Sequence, residues 1–443
     1  MMNRSVLLLS AVLCIPCSAA PPVADDRLVI VVRAEKREER DRIVKCGVAI
    51  ESVEDGRVVA IVRPAAVACI EKAGLIIESR KPLGSLDTRD FPEWDAAYHN
   101  VKETDEELHK LAAAGEGMAS LSGFGKSLQG RSLTVMRLNT TPEDECKPGV
   151  LFMANHHARE HLTTEVTLGI ARQLLAERAK PGTAELLDSR DIYFMPIVNP
   201  DGKEFDYNTG RYEWHRKNMR DNGDGSVGVD LNRNYPVGWG GEGSSGEPDS
   251  DIYRGKKPFS EPETKAVADF LRSHPNISIV ISYHSYGRKV MYPWSHTTQP
   301  MPEPEALSAF KAMADKMGQM TEYTPMQSSE LYVSGGDTCD WAWDELGMFC
   351  FTIELPPKSF FDGGFYPGPE HIAPTTEANA KVAKYLLEIA DDPYQAGGKA
   401  GAGRRSAALS AKCGKGRPGA ALQDARAAVE KLREPSFDGE ALR

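Results

Sequence analysis

Short apolar runs alternate with amphipathic stretches through most of the chain. The runs at 133–138, 149–154, 191–198, 277–283 and 348–353 are bounded by turn residues and have the length and β-branched or aromatic content of buried strands. Between them, 164–179 places Val166, Ile170, Leu174 and Leu175 on one helical face, and 262–273, 306–320 and 377–389 read as further helices. Asn199-Pro200-Asp201-Gly202 is a strong turn signal. Strands alternating with helices predict one α/β domain over 93–392. Its central sheet is expected to be mixed but mostly parallel, with helices on both faces.

The pattern changes at both ends. Residues 1–20 read as a secretory signal: Arg4 precedes a short apolar stretch, and Ala19 and Ala20 supply small residues for cleavage. Residues 25–80 predict a small α+β unit in the order β-α-β-β-α-β, a ferredoxin-like arrangement. Its strands are expected at 28–32, 46–51, 58–62 and 75–78, and its helices at 38–45 and 65–72. Pro82, Gly84 and Pro92 mark 81–92 as a linker, and Arg80-Lys81 and Arg89 are candidate processing points. Residues 393–443 read as a basic disordered tail with a short helix at 421–432.

Composition narrows the function. The net charge of −11 argues against nucleic acid as a partner, and after the signal no apolar run is long enough to span a membrane. Cys14 and Cys17 fall within the expected signal, and the other six of the eight cysteines contain no C-x-x-C pair, which argues against a zinc-finger arrangement. An exported chain can form disulfides, and Cys46–Cys69 is one candidate. The expected location is therefore extracellular or periplasmic.

Three candidate site residues fall at the carboxyl ends of predicted strands, the edge where open α/β sheets bind ligands. His157 and Glu160 follow 149–154, His284 follows 277–283, and Glu354 ends the run before it. Imidazole and carboxylate are zinc ligands, and three of them leave a position open for water. His157, Glu160 and His284 are thus expected to hold one Zn²⁺. Glu354, an acid closing an apolar strand, is expected to be the general base. Trp214-His215-Arg216-Lys217 and Asp230-Leu231-Asn232-Arg233-Asn234-Tyr235 offer guanidinium groups suited to a carboxylate. The run 221–226 does not fit EF-hand spacing and reads as a turn.

Together these motifs resemble the zinc metallocarboxypeptidases, the funnel-type carboxypeptidase A and B family, over residues 93–390. The quoted matches are His157-x-x-Glu160, His284-Ser285-Tyr286 and Phe351-Thr352-Ile353-Glu354-Leu355. The resemblance implies that Arg216 polarises the scissile carbonyl, although His215 stands between it and Trp214, with Arg220 as the alternative. It implies that Asn232 and Arg233 hold the substrate's terminal carboxylate. Tyr332, ahead of Ser334-Gly335-Gly336, closes over the substrate, and Arg159 contacts it further from the cut. The specificity position is Cys339, neither apolar nor acidic. Asp337 resembles an acid of the bacterial carboxypeptidase T subgroup, which implies broad preference for apolar and basic C-terminal residues. The 25–80 unit resembles the activation domains of zymogens in this family. The resulting expectation is a secreted monomer that trims peptides bearing a free C-terminus. The rival readings are a cell-wall stem-peptide peptidase or amidohydrolase on the same fold, and a catalytically silent binding module.

Overall fold

The computed structural model describes residues 25–85, 96–142, 144, 146–207 and 212–399. The expected signal, Arg89 and the 421–432 helix lie outside these residues.

The N-terminal unit runs β1 (Leu28–Arg33), α1 (Arg37–Lys45), β2 (Ser52–Glu54), β3 (Arg57–Val62), α2 (Pro64–Lys72) and β4 (Ile76–Pro82). Its sheet has the order β2-β3-β1-β4, with antiparallel neighbours throughout. The ferredoxin-like order is therefore present, but one strand is displaced. Residues 46–51 are not a strand. Cys46 is bonded to Cys69, Gly47 turns at φ +76°, and Val48, Ala49 and Ile50 are buried without sheet pairing. Pairing begins only at Ser52, opposite Val59. At the other end β4 reaches Pro82, opposite Leu28, and Leu83 is buried. The chain thus leaves the unit later than residue 81, because alternating exposed polar residues continue the edge strand.

The second unit contains α3 (Val101–Ala114), β5 (Ala119–Lys126), β6 (Ser132–Leu138), β7 (Gly149–Ala154), α4 (His161–Ala176), α5 (Thr183–Ser189) and β8 (Asp191–Met195). It continues with α6 (Pro200–Tyr207), α7 (Pro262–Ser273), β9 (Ile277–Ser285), β10 (Lys289–Tyr292), α8 (Pro304–Thr321) and β11 (Thr324–Gln327). The last elements are α9 (Ser328–Leu331), α10 (Thr338–Leu346), β12 (Phe349–Leu355) and α11 (Ile372–Ile389). Eight strands form one sheet in the order β11-β10-β12-β9-β7-β8-β6-β5. Its centre, β12-β9-β7-β8, is parallel, and antiparallel pairs join β10 to β12 and β6 to β8 and β5.

Every residue of β7 is buried, as expected of a parallel strand covered on both faces. Successive side chains feed opposite cores. Phe152 packs with Leu162, Val166 and Ile170 of α4 and Val382 of α11. Leu151 and Met153 pack with Val267 and Leu271 of α7 and Trp341 of α10. The domain also runs past residue 392. A 3-10 turn at Pro393–Gly397 follows α11, and its Tyr394 ring meets Phe349 at 5.0 Å. That contact ties the first residues of the expected tail to the core.

Candidate metal and catalytic site

The parallel register sets the site. Glu354 of β12 pairs with His284 of β9, and Ala154 of β7 pairs with Tyr283 one step earlier. The chain leaving β7 therefore delivers His157 and Glu160 to the edge that carries His284 and Glu354. His284 and Glu354 lie inside their strands rather than after them. This fixes their backbones by sheet hydrogen bonds.

One ligand atom from each of His157, Glu160 and His284 lies within 4.8 Å of the others. His157 Nδ1 is 2.7 Å from Glu160 Oε1 and 3.1 Å from His284 Nδ1, which is itself 3.1 Å from Glu160 Oε2. Two imidazole nitrogens and both carboxylate oxygens thus face one point. The remaining ring nitrogens are engaged elsewhere: His157 Nε2 with Asp230 Oδ1 at 3.2 Å, and His284 Nε2 with Ser282 Oγ at 3.1 Å. Outer partners of this kind fix ring orientation and leave the inner nitrogens for a cation. The donor set suits Zn²⁺. His156 does not join it, since its Nε2 turns to Tyr235 Oη at 3.1 Å. Burial opposes the Glu160 charge, but the two histidines prevail and hold its carboxyl well below the ordinary range.

Glu354 faces the same cavity. Its Oε2 is buried and has no hydrogen-bond partner among the described residues. Burial, then the nearby Glu160 charge, pushes its carboxyl up to about 8, against the pull of Lys289 and Arg216. A bound cation works in the opposite direction.

Asp230, which the sequence reading left without a role, organises three functional residues. Its Oδ1 accepts from Asn232 N at 3.0 Å and meets His157 Nε2, and its Oδ2 accepts from Arg216 Nε at 3.0 Å. Arg216 Nη2 adds a second bond to the same oxygen at 2.9 Å. Burial disfavours the Asp230 charge, yet Arg216, Arg233 and His157 keep its carboxyl far below the usual range. Arg216 lines the cavity. Arg220 does not, and is spent on Glu261 at 3.0 Å. The inserted His215 causes no shift of Arg216 out of the site. Its ring turns to Asn218 O at 3.1 Å, and its backbone N donates to Asp206 Oδ1 at 2.7 Å. Asp206 Oδ2 also meets His161 Nε2 at 2.8 Å, tying this segment to the first turn of α4.

Asn232 is pinned on both sides, with Nδ2 donating to Asp337 Oδ2 at 3.0 Å and Oδ1 accepting from Thr338 N at 3.0 Å. Arg233 donates Nε to Gly243 O and Nη1 to Asn232 O, each at 2.8 Å. Its Nη2 has no such bond among the described residues. Gly336 brings the Tyr332 loop onto this arginine. Its φ is +84°, and a Cβ there would sit 2.2 Å from Arg233 O. Tyr332 reaches the cavity wall. Asp337 lines it too, but as the N-cap of α10, its Oδ1 accepting from Cys339 N at 2.8 Å and Asp340 N at 3.1 Å. Cys339 is displaced from its expected place. It does not line the cavity, because its sulfur is bonded to Cys350 behind Thr352. The 221–226 run is a tight turn, closed by Gly223 N to Asp221 Oδ1 at 2.8 Å.

The N-terminal unit contributes to the same cavity through Ile50, Glu51 and Ser52. Glu51 Oε2 accepts from Arg159 Nη2 at 2.6 Å, and both side chains are buried. Arg159 also stacks over the Phe365 ring at 4.1 Å. Nearby, Arg40 of α1 donates to Leu331 O at 2.7 Å and Glu330 O at 3.1 Å, and Asp41 accepts from Val333 N at 3.1 Å. Helix α1 therefore grips the backbone on both sides of Tyr332, whose ring packs on the core of the N-terminal unit.

This geometry agrees with a family match. A profile described as zinc carboxypeptidase covers residues 104–382. The chain belongs to the zinc carboxypeptidase family. A zinc carboxypeptidase of Saccharothrix mutabilis subsp. capreolus is 33% identical over 400 residues, covering 84% of this chain and 92% of that protein. Carboxypeptidase A2 of Rattus norvegicus is 33% identical over 307 residues, covering 67% of this chain and 72% of its own. Among solved structures, bovine thrombin-activatable fibrinolysis inhibitor in complex with tick carboxypeptidase inhibitor aligns with a TM-score of 0.59 at 30% identity. It covers 66% of this chain and 97% of that one. Carboxypeptidase A of Helicoverpa armigera aligns with a TM-score of 0.70 at 23% identity, over 84% of this chain and 98% of its own, a likeness of fold. Membership in the family makes this chain a metallocarboxypeptidase and implies zinc.

Proposed function

We propose that the chain removes single residues from the free C-terminus of peptides and proteins, with broad preference. The observation that carries this reading is one cavity that joins the His157, Glu160 and His284 group to Glu354 and to Arg233. Zinc held by those three residues supplies Lewis acidity and a nucleophilic water near neutral pH. Glu354 takes the proton from the attacking water and delivers it to the leaving amine. Arg216, kept cationic by Asp230, stabilises the negative charge that grows on the carbonyl oxygen. Asn232 and Arg233 hold the terminal carboxylate, and Tyr332 closes over it.

The last side chain enters between Met291, Ser295, Ser334, Thr352 and Asp337. One apolar, several small polar and one acidic residue favour neither charge strongly, which supports broad preference. Asp337 serves chiefly to fix Asn232 and α10. All these residues come from one chain, so a monomer suffices. Export is supported by two bridges, Cys46–Cys69 and Cys339–Cys350, which persist in oxidising compartments. The N-terminal unit acts as a cover, with Glu51 occupying Arg159. Among the described residues no helix is long and apolar enough to cross a membrane.

Two peptides that differ only at the C-terminus test the reaction. A free acid is trimmed stepwise and its amide much more slowly, and a chelator stops both until zinc is restored. Equal cleavage of acid and amide overturns the proposal.

A further inference from the structure

Lys289 has no part in the chemistry above, yet it lines the cavity. It lies directly across from Glu354 in the antiparallel β10–β12 pair, and Met291 lies across from Thr352. Residues two apart on a strand share a face. From Met291 and Thr352, which border the space for the last side chain, one step along both strands therefore reaches Lys289 and Glu354. The lysine sits level with the base, on the side away from that space. On the carboxypeptidase reading a substrate would place there the residue before the scissile bond.

The position is built for an ammonium. Nζ donates to Gly287 O at 3.1 Å. Gly287 has φ +149°, and a Cβ there would stand 2.7 Å from Nζ, so the missing side chain makes the room. Among the described residues Nζ has no carboxylate within ion-pair distance, and the side chain is partly buried. A cation so placed is costly until an anion joins it. Burial lowers its pKa, while Glu354 and Glu54 draw it back up. Glu54 belongs to β2, in the unit that covers the cavity, and its Oε1 is buried without a partner. The cover thus already brings one carboxylate into the field of this lysine.

The geometry points to Lys289 as a specificity residue that selects substrates with an acidic residue immediately before the C-terminal one. This inference rests on the carboxypeptidase reading. Glu354 keeps its role as base, and Lys289 binds the neighbouring side chain.

The test uses two peptides with the same C-terminal residue and either Glu or Gln before it. The full chain is assayed as purified and after limited tryptic digestion. The Glu peptide is expected to show about tenfold higher kcat/KM, the size of one partly desolvated charge pair. Lys289→Met brings the ratio near one, and Lys289→Glu reverses it in favour of the Gln peptide. A wild-type ratio near one overturns the inference and leaves the reaction intact. So does a Lys289→Met variant that slows both peptides equally, since that lysine then acts only through Glu354. If wild-type chain trims neither peptide in either form, the carboxypeptidase reading falls and the inference with it.

Discussion

Two carboxylates of the site do different work, and substitution separates them. Among the described residues the Glu354 carboxylate makes no hydrogen bond to a ligand side chain, whereas Asp230 holds His157, Arg216 and Asn232 at once. Glu354→Gln is therefore expected to bind zinc normally and to lose about 10²–10⁴ in kcat, the usual worth of a general base. Asp230→Asn loses the anion that orients His157, so its zinc affinity falls about 10–100-fold. Chelator competition on folded protein reads the second effect, and turnover at saturating zinc reads the first. Near-normal turnover by Glu354→Gln removes that residue from the mechanism. That His157, Glu160, His284 and Glu354 come together was legible in the sequence, because each stands at or just after a strand end beside apolar residues. Asp230 was visible in its motif but silent, since its partners are 14 and 73 residues away. Glu51 gave no signal at all, because its partner Arg159 lies 108 residues further on.

At the scale of elements, β7 and α7 lie where the hydrophobic pattern put them, with the same ends. Strong periodicity and capping prolines or glycines explain this. The four-residue strands β10 and β11 were not read, because a segment that short carries too little alternation. Helix α10 was missed for a different reason. Its buried face is built from Trp341, Ala342 and a disulfide-bonded Cys339, and Asp337 caps it by a contact that only the fold reveals. In the misplaced second strand of the N-terminal unit, Cys46 is bonded to Cys69 and sheet bonding starts only at Glu51 N, which donates to Val59 O. Cys46–Cys69 closes a sequence separation of 23. Chain entropy assigns such a bridge about 3 kcal/mol. The Cys46→Ser, Cys69→Ser double variant is expected to lose that much from the N-terminal unit, seen as an earlier transition in denaturant unfolding. Unchanged unfolding would show that the unit is held chiefly by its docking.

The whole molecule has three cores, one on each face of the eight-stranded sheet and one in the N-terminal unit, and the two units meet at the cavity. The Glu51–Arg159 pair is buried on both sides, and burial pushes the Glu51 carboxyl up despite Arg159 and Arg216. Removing one member of such a pair leaves its partner uncompensated. Glu51→Ala is thus expected to loosen the cover and raise the turnover of the intact chain by about tenfold or more, measured before any proteolysis. An intact variant no faster than the parent sinks the idea that Glu51 blocks the site. Arg40 and Asp41 add a consequence of their own. They hold the end of α9 and the residue after Tyr332, so on the proposed reading the cover cannot yield at its rim without freeing the tyrosine. Admission and closure would be released by one and the same undocking. The proposed cover would then be a latch rather than a sieve: a dipeptide and a folded protein should be refused alike, and both should gain entry at the same moment.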